Sequence, residues 1–333
     1  MGFRRFAVAG VLLGLAARPV LADTVTVRVV VPNDLAALPL IVAKHDQLIE
    51  KQAEARGLSL SIQWLTPNGG NPLDQLISGQ ADIVATTDLA AFLVAWDEHS
   101  GSPNEVRALA ALARMPYQLS SRNPTIATIR DFSSKDRIAV PALKVSLPAV
   151  LLEMAAADEW GPTHYDKLDP LTVARNSDDA DNALHDPKSE INADFARLPY
   201  ADDERADSAI HRVMDSFDIA GPHDIGAIVT TAQFHDANPG LCAAVVAAIT
   251  GADSFIKEQR GAAAEIYDST IKDNDIPVED LTDMLGDPDA GFAPAPSGIL
   301  RFTGFMHQIG RLKHNPDSWQ QLFFPEVYKL PGS

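Results

Sequence analysis

The sequence predicts an α/β protein of two lobes, in which the chain passes from the first lobe to the second and back. Strand-like and helix-like segments alternate over most of the 333 residues. Such alternation is typical of a largely parallel sheet flanked by helices. Short crossings near residues 114 and 221 divide the chain, and a β-branched run at 225–231 can return to the first lobe. These two crossings predict lobes that are joined by a hinge.

The elements of the first lobe follow from local patterns. A β-branched run at 25–31 predicts a strand, and Asp34 can cap a helix that runs from 35 to 56. Apolar and polar residues alternate at 58–64, which predicts a strand with one buried face. We further predict a helix at 73–77, a strand at 83–85, a helix at 89–96 that Asp88 caps, and a strand at 106–112.

The segment 123–161 is the most informative part of the second lobe, because it predicts a strand at 137–140, a turn and a long helix. Ser146 is expected to cap that helix with its hydroxyl, Pro148 suits the first turn, and Gly161 ends the helix before Pro162. A strand that leads into a helix N-terminus presents unpaired N–H groups and a positive dipole end, which suit an anionic or strongly polar small molecule.

The remaining elements are predicted more coarsely. The second lobe is also predicted to include the segments 117–121, 191–195 and 211–217. The chain from 238 onward is mostly helical, at 241–259, 262–267 and 299–309.

The N-terminus predicts an export signal. Arg4 and Arg5 precede an apolar run at 6–17, and small residues stand shortly before Asp23. This arrangement is typical of a secretory signal peptide at 1–22, cleaved after Ala22, and the run is too short for a permanent membrane span. We expect Sec export, and the paired arginines leave the twin-arginine route open. No later stretch is predicted to cross a membrane.

The exported chain is strongly acidic. The full sequence has 45 acidic and 27 basic residues and a formal charge of −18, which becomes −21 when Arg4, Arg5 and Arg18 leave with the signal peptide. Such a surface repels nucleic acid and anionic lipid, so neither is expected as a partner. Cys242 is the only cysteine and lies in an apolar helical run, so it is predicted to be a core residue rather than a nucleophile.

Known catalytic and metal-binding motifs are missing from the sequence. The nine histidines never stand in a metal-ligand spacing, and the acidic run at 178–181 lacks the pattern of a calcium loop. A glycine-rich phosphate loop and a GxSxG elbow are also missing. We therefore predict no metal, no cofactor and no enzyme activity, although a Ser/His/Asp site assembled from distant segments stays open. Polar and aromatic residues at several predicted strand ends favour a binding cleft instead.

Several short passages along the chain are typical of one known protein family. They are Asn123-Pro124 with Asp131-Phe132, KDRIAVPALKVS at 135–146, SGQADI at 78–83, His211-Arg212-Val213 with Ser216, and Phe305-Met306-His307 with Ser318-Trp319 and Phe323-Phe324-Pro325. By these passages the chain resembles, over nearly its whole mature length, the substrate-binding proteins of nitrate/sulfonate/taurine ABC importers.

The resemblance implies a type II periplasmic-binding-protein fold, in which each lobe is a mixed, mostly parallel sheet flanked by helices and the hinge has two crossovers. The first lobe would comprise 23–114 and 222–333, and the second 115–221. The resemblance also implies a periplasmic protein, expected to be a monomer. It would deliver a small-molecule ligand to an inner-membrane permease that a cytoplasmic ATPase drives.

The resemblance further implies which residues line the ligand cleft. They are Leu35, Ala36, Thr86 and Thr87 in the first lobe, and Tyr117, Lys144, Ser146, Phe195 and Tyr200 in the second. Whether Lys144 or Asp88 contacts the ligand stays open, and Asp88 could instead recognise a cationic group. The sequence departs from the family pattern at 147–148, 177–180 and 195–200, so no particular ligand can be transferred.

The expected function is capture of a small polar or anionic organic solute, either a sulfonate or taurine-like compound or a related nitrogen compound. A pyrimidine that serves as a thiamine precursor is the alternative ligand. Two other classes of protein stay open. One is a pyrimidine-synthase-like enzyme on the same fold, and the other is a sensor domain that passes its ligand to a membrane receptor. The enzyme would need a reactive histidine and usually an iron site, and an export signal conflicts with it.

Overall fold

The structure is a computed structural model, which describes residues 24–69, 71–271 and 276–333. The predicted signal peptide at 1–22 lies outside the described residues. In chain order the strands are β1 (Val25–Val30), β2 (Leu60–Leu65), β3 (Ile83–Thr86), β4 (Val106–Ala111), β5 (Gln118–Ser121), β6 (Ile138–Val140), β7 (Thr172–Ala174), β8 (Ala193–Ala196), β9 (His211–Asp215) and β10 (Ala227–Thr231).

The helices alternate with the strands and cover the sheets. They are α1 (Leu38–His45), α2 (Leu48–Glu54), α3 (Pro72–Ile77), α4 (Leu89–His99), α5 (Leu147–Trp160), α6 (Ser177–His185), α7 (Tyr200–Ala206), α8 (Ser216–Ala220), α9 (Ala232–Ala237), α10 (Pro239–Glu258), α11 (Arg260–Thr270), α12 (Val278–Met284) and α13 (Ile299–Gln308).

Two five-stranded sheets form the two lobes, with the spatial orders β2-β1-β3-β10-β4 and β7-β6-β8-β5-β9. In the first sheet only β10 is antiparallel to its neighbours, and in the second only β5 is. Each of these strands is the one that the chain enters directly after a crossing. The predicted fold class, two mixed and mostly parallel sheets with two crossovers, is confirmed.

The two crossings lie side by side. The Ile225 amide donates to the Ala113 carbonyl at 2.8 Å, and the Leu112 amide donates to the Gly226 carbonyl at 3.2 Å. Glycine is required at 226 because a Cβ there would stand 2.0 Å from the Thr86 carbonyl oxygen. This close approach fixes the second crossing against the end of β3.

The single helix predicted at 35–56 is wrong. The chain forms a short 3-10 helix at Leu35–Ala37, then α1, and then α2, with a break at Gln47, whose φ is 53°. The break allows α1 to pack against α10 and α11, while α2 packs against β2 and α10. Within the segment 211–217, β9 ends at Asp215, which accepts from the Phe217 amide and thereby caps α8.

The expectation that no later stretch could cross a membrane is also wrong by length and composition. Helix α10 has 20 residues and a mean hydropathy of 1.6 over its most apolar window, and 56% of that window is buried inside the protein. Leu241, Cys242, Val245 and Ile249 on this helix all lie in the core. Cys242 is therefore a core residue, as predicted.

The chain after α13 contacts elements from both sides of the molecule. Arg311 makes two hydrogen bonds to Glu153 on α5, at 2.7 and 2.9 Å. Asp97 on α4 accepts from the backbone amides of Lys313 and His314, at 3.0 and 2.7 Å. The C-terminal segment thus joins α4 of the first lobe to α5 of the second.

Asp253→Ala is expected to stabilise the protein by about 1–3 kcal/mol at pH 8, because Asp253 is buried on α10 and neither carboxylate oxygen has a hydrogen-bond partner among the described residues. Burial raises the pKa of Asp253 to about 8, from 3.8. The wild-type protein therefore loses stability as the pH rises from about 4 through 8, where the buried group ionises.

Urea unfolding at pH 5 and pH 8 measures this effect. The advantage of Asp253→Ala should be larger at pH 8, and Asp236→Ala, on an exposed side chain, should show no such trend. An Asp253→Ala protein that is less stable than the wild type at pH 8 would contradict the argument.

Candidate functional site

A buried arginine lies where the two lobes meet. Arg197 directly follows β8 and is 8% exposed. Its Nη2 lies 2.5 Å from Oδ2 of Asp34, which belongs to the first lobe. Its Nε donates to the Tyr117 hydroxyl at 3.2 Å, and its Nη1 donates to the Leu198 carbonyl at 3.1 Å. The guanidinium therefore faces the opposite lobe, held by partners from its own.

Asp34 reaches this position because it caps the first helical turn after β1. Its Oδ1 accepts from the Ala36 amide at 2.9 Å, which leaves Oδ2 directed at Arg197. The predicted capping role of Asp34 is confirmed. The ion pair that it makes across the lobes could not be predicted from the local pattern.

A second carboxylate joins the lobes in a different way. Asp88 caps α4 as predicted, since its Oδ1 accepts from the Ala91 amide at 3.1 Å. The same oxygen accepts from the Leu147 amide, also at 3.1 Å, at the N-terminus of α5 in the second lobe. Burial raises the pKa of Asp88 to about 6, against the opposing effect of these amides and of Arg197.

Two aromatic side chains pack beside Arg197. The Tyr117 and Phe195 rings lie 6.0 Å apart at an interplanar angle of 77°, an edge-to-face contact. Burial raises the pKa of the Tyr117 hydroxyl to about 12. Tyr117 thus stays neutral and acts as a hydrogen-bonding group, not as an ionised one.

The structure brings together part of the predicted cleft. Tyr117 and Phe195 adjoin Arg197, and Leu35 and Ala36 are buried in the turn that Asp34 caps. Thr86 is buried, and its hydroxyl lies 3.3 Å from the Asp88 amide, while Thr87 is half-buried. The half-buried Tyr200 donates its hydroxyl to Asp178, on α6.

Two of the predicted cleft residues contact groups of their own lobe. Lys144 is exposed in the left-handed region, with φ 64°, and lies 3.6 Å from Asp169. Ser146 occupies the N-cap position of α5, but its hydroxyl donates back to the Ala142 carbonyl at 2.8 Å. The predicted side-chain cap by Ser146 is therefore wrong, because its hydroxyl donates to Ala142 and accepts no amide of α5. The Leu147 amide, at the first helical position, donates instead to Asp88 of the other lobe.

Sequence reasoning missed Arg197 and Asp34 as functional residues. Arg197 stood within 195–200, a segment in which Phe195 and Tyr200, but not Arg197, were predicted to line the cleft. The sequence did offer one signal for Arg197: it is a charged residue at the end of a buried strand, which is where ligands of α/β sheets bind. Its partner comes from a position 163 residues away, which no local pattern reveals.

The charges of this site are mixed. The Arg197 guanidinium lies near the carboxylates of Asp34 and Asp88, the Ala36 amide donates to Asp34, and the amides of Ala91 and Leu147 donate to Asp88. An anionic group could pair with Arg197 only where Asp34 moves aside. A cationic group would meet Asp34 and Asp88. The arrangement therefore suits a polar solute that carries both kinds of group.

The comparisons with known proteins establish the fold alone. The sequence matches no family model and no curated protein. Among solved structures, the periplasmic aliphatic sulphonate binding protein SsuA from Escherichia coli is similar with a TM-score of 0.64 at 18% identity, over 89% of this chain and 98% of that one. The periplasmic nitrate-binding protein NrtA from Synechocystis PCC 6803 is similar with a TM-score of 0.65 at 15% identity, over 91% and 87%.

The same fold also occurs in an enzyme. The desulfurization enzyme DSZB is similar with a TM-score of 0.60 at 15% identity, over 90% of this chain and 96% of that one. The chain thus has the two-lobed type II periplasmic-binding-protein fold, and its function must be argued from its own site.

Proposed function

We propose that this protein is the periplasmic substrate-binding component of an ABC importer, and that it captures a small organic solute between its lobes. The proposed ligand class is a taurine-like aminosulfonate or a related nitrogen compound. The protein, with lobes at 23–114 plus 222–333 and at 115–221, would act as a monomer and deliver the solute to an inner-membrane permease with its cytoplasmic ATPase. The export signal supports the periplasmic location.

The observation that carries this proposal is the Asp34–Arg197 ion pair between the lobes. Burying two charges costs free energy that a simple ion pair repays poorly, so a solute that supplies a better anionic partner can replace Asp34. The sulfonate of such a solute would take Arg197 and the Tyr117 hydroxyl, and its ammonium group would meet Asp34 or Asp88. Lobe closure then depends on contacts that only the correct solute makes.

The states of Cys242 and His223 fit a protein that binds its ligand without catalysing a reaction. Burial raises the pKa of the Cys242 thiol to about 12, so it is not a thiolate at neutral pH. His223 is fully buried, and burial lowers its pKa to about 4, while its Nε2 lies 3.0 Å from the Ser216 hydroxyl oxygen. His223 is a neutral core residue. An enzyme of the same fold stays the competing class.

A ligand screen by thermal shift tests the proposal. The panel should contain taurine, which carries both charges, ethanesulfonate, which carries only the sulfonate, and ethanolamine, which carries only the ammonium group. Nitrate and pyrimidines complete the panel. A ligand at a hundred times its dissociation constant should add about 2.7 kcal/mol of stability. We expect the largest shift with taurine or a close relative. If the protein turns over one compound of the panel and shows no saturable binding of the others, it is an enzyme and not an importer component.

Tyr117→Ala is expected to weaken binding of the solute that the screen identifies by about tenfold or more, because Tyr117 fixes Arg197 through its hydroxyl. Ser146→Ala is the matched control, since among the described residues its hydroxyl donates to the local Ala142 carbonyl and to no group of the Arg197 site. Isothermal titration calorimetry measures both affinities. An equal loss in the two variants would show that the effect does not come from the Arg197 site.

A further inference from the structure

Two buried acids flank the loop that carries Arg197. Asp194 lies on β8, before Arg197, and Glu204 lies on α7, after it. Asp194 is 3% exposed and Glu204 is 0% exposed. Their carboxyl groups lie within hydrogen-bonding reach of each other. The pair therefore connects the strand that enters this loop to the helix that leaves it.

The register of the sheet explains how the two acids meet. Ser120 on β5 pairs with Asp194 on β8, so their side chains lie next to each other on one face of the sheet. Helix α7 packs against β5 and β9, and both Ser120 and Asp194 act on the carboxyl group of Glu204. The Glu204 side chain thus lies over this face, against Asp194.

The basic side chains near this pair are engaged elsewhere. Arg205 on α7 is exposed and pairs with Asp202. Arg212 on β9 is exposed and lies 3.5 Å from Asp215. The other titratable groups that face α7 are Asp181 and His185 on α6, His211 on β9 and Asp203 on α7 itself. Among the described residues, neither buried acid has a cationic partner.

The two acids can bond each other only through a proton. Both carboxyl oxygens of Glu204 are closed off from solvent, and neither has a well-formed hydrogen bond to a described residue. An ionised carboxylate only accepts hydrogen bonds, so two of them repel each other until one is protonated. Burial raises the pKa of both groups, and the charge of Asp194 raises the pKa of Glu204 further. Glu204 is therefore the acid that keeps the proton.

We propose that protonated Glu204 donates a hydrogen bond to Asp194, and that this bond positions Arg197 for the solute. The positioning role rests on the proposed importer function, whereas the shared proton does not. Loss of the proton would place two like charges side by side in a buried site. A cavity of about 340 Å³ adjoins Glu204, between α7 and the strands β5 and β9, so α7 has room to move away. Arg197 would then lose its fixed position, and affinity would fall.

The sign of the pH dependence follows from the direction of the pKa shifts. The folded protein holds this proton more tightly than the unfolded chain does, so the stability that the bond contributes is lost as the pH rises into the alkaline range. The buried Asp253 titrates in the same direction. The wild type must therefore be compared with a variant of the pair at each pH.

Glu204→Gln is the decisive variant, because glutamine keeps a donor for Asp194 and cannot ionise. Calorimetry at pH 6.5 and pH 9.5 measures affinity for the solute that the screen identifies. We expect Glu204→Gln to match the wild type at pH 6.5 and to bind about fivefold more tightly than the wild type at pH 9.5. Glu204→Ala, which has no donor, should bind more weakly than Glu204→Gln at both pH values. Comparison at one pH cancels the titration of the solute and of Asp253.

Asp203→Asn is the matched control, because it makes the same change from acid to amide on a neighbouring side chain that is 68% exposed. It should follow the wild type at both pH values. Equal affinity of Glu204→Gln and the wild type at pH 9.5 would overturn the proposal.

Pulsed hydrogen exchange of the peptide 197–202 gives a test that needs no ligand. At pH 9.5 this peptide should exchange faster in the wild type than in Glu204→Gln, because the repelled helix no longer holds the loop. Equal exchange in the two proteins would overturn the proposal. A screen that finds no solute would count against the importer function, and the exchange result would still decide whether the proton holds the loop.

Discussion

Replacing Arg311 by methionine is expected to lower the free energy of unfolding by about 3–5 kcal/mol, because it leaves Glu153 buried without a partner. Glu153 is 1% exposed, and Arg311 makes both of the hydrogen bonds that connect them. Burial raises the pKa of Glu153, and Arg311 opposes that shift. Urea unfolding at pH 7 gives the loss directly.

Two controls separate the pair from general damage to the C-terminal segment. Arg301→Met changes an exposed arginine on α13 and should cost little. The double variant Glu153→Met, Arg311→Met should recover most of the lost stability, because apolar groups of similar volume can replace a buried ion pair. A double variant as unstable as Arg311→Met alone would refute the buried-charge explanation.

Arg197→Met is expected to weaken capture of the solute that the screen identifies by at least about 30-fold. Removing one member of a buried charged pair costs about 2–5 kcal/mol, which corresponds to that factor or more. The loss should fall on the dissociation rate, since Arg197 is held within the interface and not on its rim. Surface plasmon resonance separates the two rate constants.

Arg197→Lys tests the geometry of the site. It keeps the charge but loses the planar fork that bonds Asp34 and Tyr117 at once, so we expect only partial recovery of affinity. Arg205→Met, which removes an exposed arginine of α7, is the control and should bind normally. Undiminished affinity in Arg197→Met would place the ligand elsewhere on the molecule.

Local signals predicted much of the fold. The β-branched run before Asp34, the caps Asp34 and Asp88, and the long helix that ends at Gly161 all appear in the structure. Each depends on side-chain chemistry within a few residues of the chain, which a sequence shows directly. Helix α7 was missed because its acidic, charged sequence has no clear apolar face.

The candidate site was predicted less completely than the fold. Tyr117 and Phe195, both predicted to line the cleft, contact each other edge to face, whereas Lys144 and Ser146 contact groups of their own lobe, and their ligand contacts stay predictions. Ser146 shows why. A hydroxyl at an N-cap predicts a bond to its own helix, but the Ser146 hydroxyl donates back to the Ala142 carbonyl, and a carboxylate from the other lobe accepts from the first amide of the helix.

The sequence by itself therefore determined the alternation of strands and helices, the two crossings near 114 and 221 and the end of the long helix at Gly161. Only the tertiary structure decided which charges meet. Asp34 reaches Arg197, Glu153 reaches Arg311 and Asp203 reaches His185, each from a separate element. The physical reason is that capping and periodicity act between near neighbours in the chain, whereas ion pairs and ligand sets depend on how the lobes and helices pack.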